Sequence, residues 1–251
     1  MTSLFRGIAA LLLLSLTLPL SAQAADSGTV LITGANRGIG LALAKEFTDA
    51  GYKVIGTARK PEKAKDLKAT GARVVRLDVT DQASVDAMAE SLDGVPIDIL
   101  INNAGVALGR GKALAEIDVD TIERTLDVNT LGPIRVMKAL YPNVEAGDRK
   151  VFANISSMMG SMEMNTWGCC LGYRASKAAL NSANQTLSVD VGKNGMAFVV
   201  FHPGYVQTDM NEGKGNITPA QSAKGLFTVI SGLDQDDNGK FYDWQGKELP
   251  L

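Results

Sequence analysis

The sequence predicts a doubly wound α/β fold, a single domain built on a parallel sheet, and three observations predict it. Short runs rich in Val, Ile and Leu alternate with helical patterns from residue 29 onward. Those runs are apolar throughout, which marks strands covered by helices on both faces. A glycine-rich segment, Thr33-Gly34-Ala35-Asn36-Arg37-Gly38-Ile39-Gly40, separates the first run from the first helical pattern, where open α/β sheets turn to meet a phosphate.

The elements follow in order. Residues 29–33 form a first strand, and residues 39–50 a helix that Gly51 ends. Residues 53–57 form the second strand, and Pro61 fits the first turn of the next helix. The third strand covers residues 73–77 and leads to a helix capped by Asp81, and the fourth covers residues 98–101. A long helical pattern fills residues 119–144, and residues 150–155 make the fifth strand. A helix over about residues 172–191 precedes the sixth strand at residues 196–201, a helix at 221–231 and a short last strand at 240–242. Residues 25–251 carry no internal repeat, low-complexity tract or linker and read as one domain.

The first 24 residues differ in kind. Arg6 precedes the apolar run of residues 8–18, followed by Pro19 and by Ser21-Ala22-Gln23-Ala24-Ala25. This is the n-region, h-region and cleavage pattern of a secretory signal, with cleavage expected after Ala24 and the product exported to a periplasm or beyond the cell. The run is short for a membrane span, so no stable span is expected after cleavage. A membrane-anchored or a cytoplasmic protein is the alternative.

Composition excludes several functions. The 251-residue chain has a net charge of −2 and no long basic run, so nucleic-acid binding has no electrostatic support. One histidine, His202, and two adjacent cysteines, Cys169 and Cys170, give no zinc-ligand spacing, and no metal site is expected. Adjacent cysteines close only a strained eight-membered ring, so two free thiols in a loop are the expectation.

Tyr173-Arg174-Ala175-Ser176-Lys177 carries the chemistry. Four residues apart on a helix, Tyr173 and Lys177 share a face. A neighbouring ammonium favours the phenolate, and a phenol tuned that way can pass a proton to a carbonyl oxygen near neutral pH. Ser156 and Ser157 stand upstream. The loop Gly34–Gly40 brings backbone against a pyrophosphate at a helix N-terminus. The second strand ends in Thr57-Ala58-Arg59-Lys60, with no carboxylate to hold the ribose hydroxyls of NAD. Arg59, with Arg37 from the glycine loop, suits the extra phosphate of NADP(H). Asp78-Val79 and Asn103-Ala104-Gly105 follow the third and fourth strands at the same sheet edge. His202 ends the sixth strand, where packing accounts for it.

On these motifs the chain is similar to the short-chain dehydrogenase/reductase family from about residue 29 to the end. The motifs are Thr33 to Gly40, Asp78, Asn102 to Gly105, Asn129, Ser157 with Tyr173 and Lys177, and Pro203 to Thr208. Within the family it most resembles carbonyl reductases of the sniffer and C-factor type. The gap between Ser157 and Tyr173 is longer than the family's usual one, as in that subgroup. The resemblance implies a Rossmann fold, NADP(H), and a small-molecule carbonyl or alcohol substrate. It implies catalysis by Tyr173 with Ser157 and Lys177, Asn129 supporting Lys177 through a relay water, and Val206 and Thr208 at the cofactor's carboxamide. It also implies a homodimer or homotetramer as a possible assembly. A nucleotide-binding signalling protein of C-factor type, without turnover, is the rival reading, and the full set Asn129, Ser157, Tyr173 and Lys177 speaks against it.

Overall fold

Why the apolar runs become strands is visible in their two faces. In β1 (Thr29–Ile32), Val30 and Ile32 join one core while Leu31 joins the other, and all three are fully buried. The computed structural model describes residues 27–109 and 114–251. The expected signal peptide lies outside the described residues. The elements after β1 are α1 (Gly38–Asp49), β2 (Lys53–Ala58), α2 (Lys65–Ala69), β3 (Arg73–Arg76), α3 (Gln82–Glu90) and β4 (Ile99–Asn102). Then come α4 (Val119–Leu126), α5 (Gly132–Ala139), α6 (Tyr141–Glu145), β5 (Val151–Ile155), α7 (Leu171–Asp190), β6 (Ala197–His202), α8 (Pro219–Gly232) and β7 (Phe241–Asp243).

The seven strands make one sheet in the order β3-β2-β1-β4-β5-β6-β7, with every pair parallel. Side chains of α1 and α8 cover one face, and those of α3, α5 and α6 cover the other. This is the doubly wound Rossmann architecture expected from the sequence. The strand order reverses between β1 and β4, and a crevice opens at the carboxyl ends of such a pair. The glycine loop follows β1 and Asn103-Ala104-Gly105 follows β4, so both flank that crevice.

One element differs from expectation. The helical pattern of residues 119–144 is three helices, α4, α5 and α6, with a π-helical turn at Asp127–Leu131 joining the first two. Pro133 and Pro142, which have no amide to donate, sit in the first turns of α5 and α6. The apolar periodicity continues through these joints and hides them. The π turn carries Asn129 and Thr130, both buried. The Asp81 cap is as expected, and α8 starts two residues before the expected Gln221. The Asp81 side chain accepts from the Ala83 amide at the start of α3, and Thr218 with Gln221 forms a reciprocal capping box on α8.

The second core is anchored by Phe152 of β5 and Phe198 of β6, whose rings stack with centroids 4.6 Å apart. Neither has room to relax, since Phe152 is fully buried. Phe152→Ala is expected to lower unfolding free energy by about 3–5 kcal/mol, the cost of a lost aromatic and its residual cavity. Urea titration followed by circular dichroism measures it.

Candidate active site

The glycine loop is locked to the loop after β4 by side chains of both. Thr33 Oγ1 accepts from the amides of Asn103 (2.9 Å) and Ala104 (3.1 Å). Asn103 Nδ2 donates to the carbonyls of Thr33 (3.0 Å) and Gly34 (3.1 Å). No side chain fits at Gly40, where a Cβ would run into Asn103 Nδ2 and lie 2.5 Å from the Gly34 oxygen. A Cβ on Gly34 would lie 2.9 Å from the Ala104 Cα, and Gly34 also has a φ of +64°. Asn103 and Ala104 therefore shape the cradle from behind. Asn36, Arg37, Gly38 and Ile39 form its open side.

The cradle suits a pyrophosphate. Helix α1 starts at Gly38 with no side-chain cap on its amides and no acidic residue in its first turn. Its first N–H groups have no partner within the helix and, with the helix dipole, favour an anion. Arg59 stands exposed at the end of β2. Near it, Asp78 accepts from the Thr80 amide (3.1 Å) and hydroxyl (2.7 Å). Burial pushes the Asp78 carboxyl up, but those bonds with Arg59 and Arg76 outweigh it and hold the pKa below the usual value. Val79, buried beneath, packs in the second core.

Arg37 does something the sequence did not suggest. Its guanidinium pairs with Asp209 at 2.8 Å, with both side chains exposed. Asp209 follows Thr208 in the loop after β6, and a Cβ on Gly38 would lie 3.7 Å from Thr208 Cγ2. The β6 loop thus reaches the glycine loop. Thr208 and Val206 are held by Asn211, whose side chain accepts from the Thr208 amide and donates to the Val206 carbonyl.

Helix α7 brings the remaining groups together. Tyr173 and Lys177 share a face, with the Lys177 Nζ 5.9 Å from the Tyr173 ring centre. Lys177 is buried, and its Nζ donates to the Ile155 carbonyl at 2.8 Å. Burial pushes its pKa from 10.5 down to about 8, which leaves it mostly protonated at neutral pH. Ser157, just beyond the end of β5, accepts from the Met159 amide at 3.1 Å, so its hydroxyl hydrogen remains available for another acceptor. A Cβ on Gly105 would lie 3.3 Å from Asn129 Oδ1 and 3.8 Å from Lys177 Nζ. A side chain there would crowd Asn129 and only touch Lys177. Asn129 is used as a clamp: it accepts from the Val106 amide (2.8 Å) and donates to the Val106 carbonyl (2.8 Å) and Ser176 Oγ (3.0 Å). It ties the β4 loop to α7.

The cysteines correct an expectation. Cys169 and Cys170 form an adjacent disulfide, not two free thiols. Both residues, and Gly168 before them, are left-handed, with φ of 63°, 58° and 67°. Three left-handed residues in a row bring the sulfurs of neighbours together. His202, for which the sequence suggests a packing role, is the last residue of β6. Burial drops its pKa from 6.5 to about 4, a shift the nearby Asp243 opposes. Among the described residues no three His, Cys, Asp or Glu side chains converge on a metal position, and no helix is long and apolar enough to cross a membrane.

The supporting contacts of several residues escaped the sequence reading. Thr33 and Asp209 are two. Arg174 is a third, buried with its Nε on the carbonyls of Gly168 (2.8 Å) and Cys169 (3.1 Å) and its guanidinium 4.2 Å from the Trp167 ring centre. Asn181 and Asn184 are two more: Asn181 accepts from Ser156 Oγ at 2.6 Å and Asn184 from Asn154 Nδ2 at 2.8 Å. Their spacing of four and seven residues from Lys177 was the available signal.

With this geometry in place, comparison with known proteins assigns the class. The model of the short chain dehydrogenase family matches residues 28–217. The chain belongs to the short-chain dehydrogenase family of oxidoreductases. It is 42% identical over 164 residues to the C-signal of Myxococcus xanthus, covering 65% of this chain and 98% of that one. The carbonyl reductase Sniffer of D. melanogaster superposes with a TM-score of 0.83 at 29% identity, over 89% of this chain and 99% of that chain. An NADPH-bound carbonyl reductase from chicken fatty liver gives 0.81 at 31% identity, over 90% and 100%.

Burial of Lys177 makes stability depend on pH. Its folded pKa of about 8 lies below the ordinary 10.5, so between these values the unfolded chain holds more protons. Stability is expected to rise across that window and to carry the full burial cost below it. Lys177→Met abolishes the effect. The stability of the wild type relative to this variant should therefore rise by on the order of 3 kcal/mol between the two pKa values, read from urea unfolding curves of both proteins.

Proposed function

We propose that this protein is an NADP(H)-dependent oxidoreductase that interconverts a small-molecule carbonyl and its alcohol, with Tyr173 as acid and base. The observation that carries this reading is the buried Lys177 ammonium, held by the Ile155 carbonyl beside Tyr173, with Gly105 next to it. A cation kept dry beside a phenol favours its phenolate and makes it a better proton donor.

The cradle from Gly34 to Gly40, with Arg59 and Asp78 at its far side, fits the pyrophosphate and adenosine end of the cofactor. When bound, NADPH supplies the hydride. The chain's own groups do the rest. Ser157 donates a hydrogen bond to the carbonyl oxygen as negative charge develops there. Tyr173 gives that oxygen its proton, and Lys177 stabilises the phenolate left behind. In the reverse direction the phenolate takes the alcohol proton. Asn129 holds the β4 loop against α7, which keeps Gly105 beside Lys177. Val206 and Thr208 serve the carboxamide end. The relatives named Sniffer and the chicken liver enzyme, both carbonyl reductases, support the same reaction class. The amino-terminal residues support export, which sequencing of the mature N-terminus after cell fractionation tests.

Tyr173→Phe is expected to lower turnover by roughly 10²–10⁴-fold, the loss of a general acid, while NADPH binding persists. Unchanged turnover with a panel of aldehydes and ketones would remove Tyr173 from the mechanism. Arg59→Ala is expected to weaken NADPH binding by about 10-fold to 100-fold, as for a lost charge-assisted hydrogen bond, and to leave NADH binding unchanged. Fluorescence titration with both cofactors measures it.

A further inference from the structure

The loop between β5 and α7 holds a disulfide that does no ordinary structural work. A disulfide stabilises by closing a loop in the unfolded chain, and the gain grows with loop length. Cys169 and Cys170 are neighbours and close no loop beyond their own ring. What the bond does is conformational. It holds two non-glycine residues at φ of 63° and 58°, a region that side-chain-bearing residues enter at a cost. The surrounding structure reads that conformation closely. Arg174 Nε holds the carbonyls of Gly168 and Cys169, its amide takes the Cys170 carbonyl at 2.9 Å, and its guanidinium lies over Trp167. Arg174 is the residue after Tyr173. Cys170 also lines a small cleft with Leu108, Ile117 and Ile122 at the start of α7, the end of the helix that carries Tyr173. Cys169 is exposed and Cys170 half-buried, so the bond lies at the surface on the Cys169 side.

We propose that Cys169–Cys170 is a redox-reactive site that takes a dithiol reductant, and that its state sets the shape of the substrate-side wall beside Tyr173. The thiolate of the reductant attacks Cys169 Sγ. The S–S bond breaks, and the electron pair leaves on Cys170 Sγ, which takes a proton. The second thiolate of the reductant then attacks its own sulfur in the mixed disulfide. Cys169 is released as a thiol, and the reductant departs as a cyclic disulfide. Two electrons and two protons pass to the pair. Freed of the ring, Cys169 and Cys170 leave the left-handed region. The carbonyls on Arg174 turn away, and the wall carrying Trp167 and Cys170 relaxes.

The consequence for activity rests on the oxidoreductase reading above, whereas the redox chemistry does not. The test compares the mature protein before and after anaerobic treatment with dithiothreitol, followed by desalting. Alkylation and mass spectrometry count thiols, and NADPH-dependent turnover is measured with benzil as a bulky carbonyl and butanal as a small one. Two thiols are expected after treatment and none before. The specificity for benzil over butanal, as a ratio of kcat/KM values, is expected to change by at least about five-fold, a shift of 1 kcal/mol in relative barrier. Cys169→Ser/Cys170→Ser should match the reduced protein and ignore dithiothreitol. If that variant does not fold, the wild-type comparison alone decides. Two thiols before treatment, no thiols after it, or an unchanged benzil-to-butanal ratio would each overturn the proposal. Thiol release with no turnover of any carbonyl in either state would instead overturn the oxidoreductase reading; a dithiothreitol-dependent shift in Trp167 quenching by acrylamide then upholds the redox site, and an unshifted one overturns it.

Discussion

Three successive turns of α7 are fastened to three successive residues at the end of β5 and just beyond it, and the geometry of the site depends on that fastening. Lys177 reaches the Ile155 carbonyl, Asn181 takes the hydroxyl of Ser156, and Asn184 takes the amide of Asn154. Apolar packing alone is non-directional and would tolerate small shifts of a 20-residue helix along the sheet. Buried polar partners do not, because a shift strands groups that cost free energy when unpaired. The ladder continues into β4, since Asn102 donates to Asn154 at 2.9 Å. The helix bearing Tyr173, the strand that leads to Ser157 and the strand that leads to Gly105 thus share one buried network.

A second constraint organises the opposite side of the crevice. Thr33 and Asn103 each make two hydrogen bonds across from β1 to the β4 loop, so both walls of the cradle are set by the protein itself. A ligand entering such a site spends little of its binding free energy on ordering backbone. The glycine loop is therefore close to a rigid mould, with Gly40 and Gly34 chosen by contact against neighbouring atoms. The mobile choices are left to exposed side chains at its rim.

The sequence made the sheet legible because the inner strands are buried on both faces and carry no polar alternation, while β3 at the edge keeps only its central Val74-Val75 pair between exposed arginines. Every expected strand is present, with ends shifted by one residue or so. The candidate site was legible where an unusual residue stands at a topological landmark: the Gly34 to Gly40 turn, Ser157, Tyr173 and Lys177. Two kinds of feature were not. The break in residues 119–144 leaves the apolar period intact, so the π turn at Asn129 has no signature in periodicity. Contacts made by loops, such as Arg37 with the distant Asp209 or Arg174 with Gly168 six residues before it, depend on how the loops fold back. The paired cysteines belong here too, since the three consecutive left-handed residues that accompany their bond are announced by no composition rule.

The Arg37–Asp209 pair has a consequence for how the crevice is entered. It joins the loop after β1 to the loop after β6, with both side chains more than two-thirds exposed. An exposed pair of this kind is worth about 1 kcal/mol or less, so it opens often. Polyanionic ligands are drawn to basic clefts by long-range attraction that fades as salt is added. Here the same ions that weaken the attraction also loosen the bridge across the mouth. The two effects oppose each other, and ligand capture should vary less steeply with ionic strength than the charge of Arg37 and Arg59 alone would dictate.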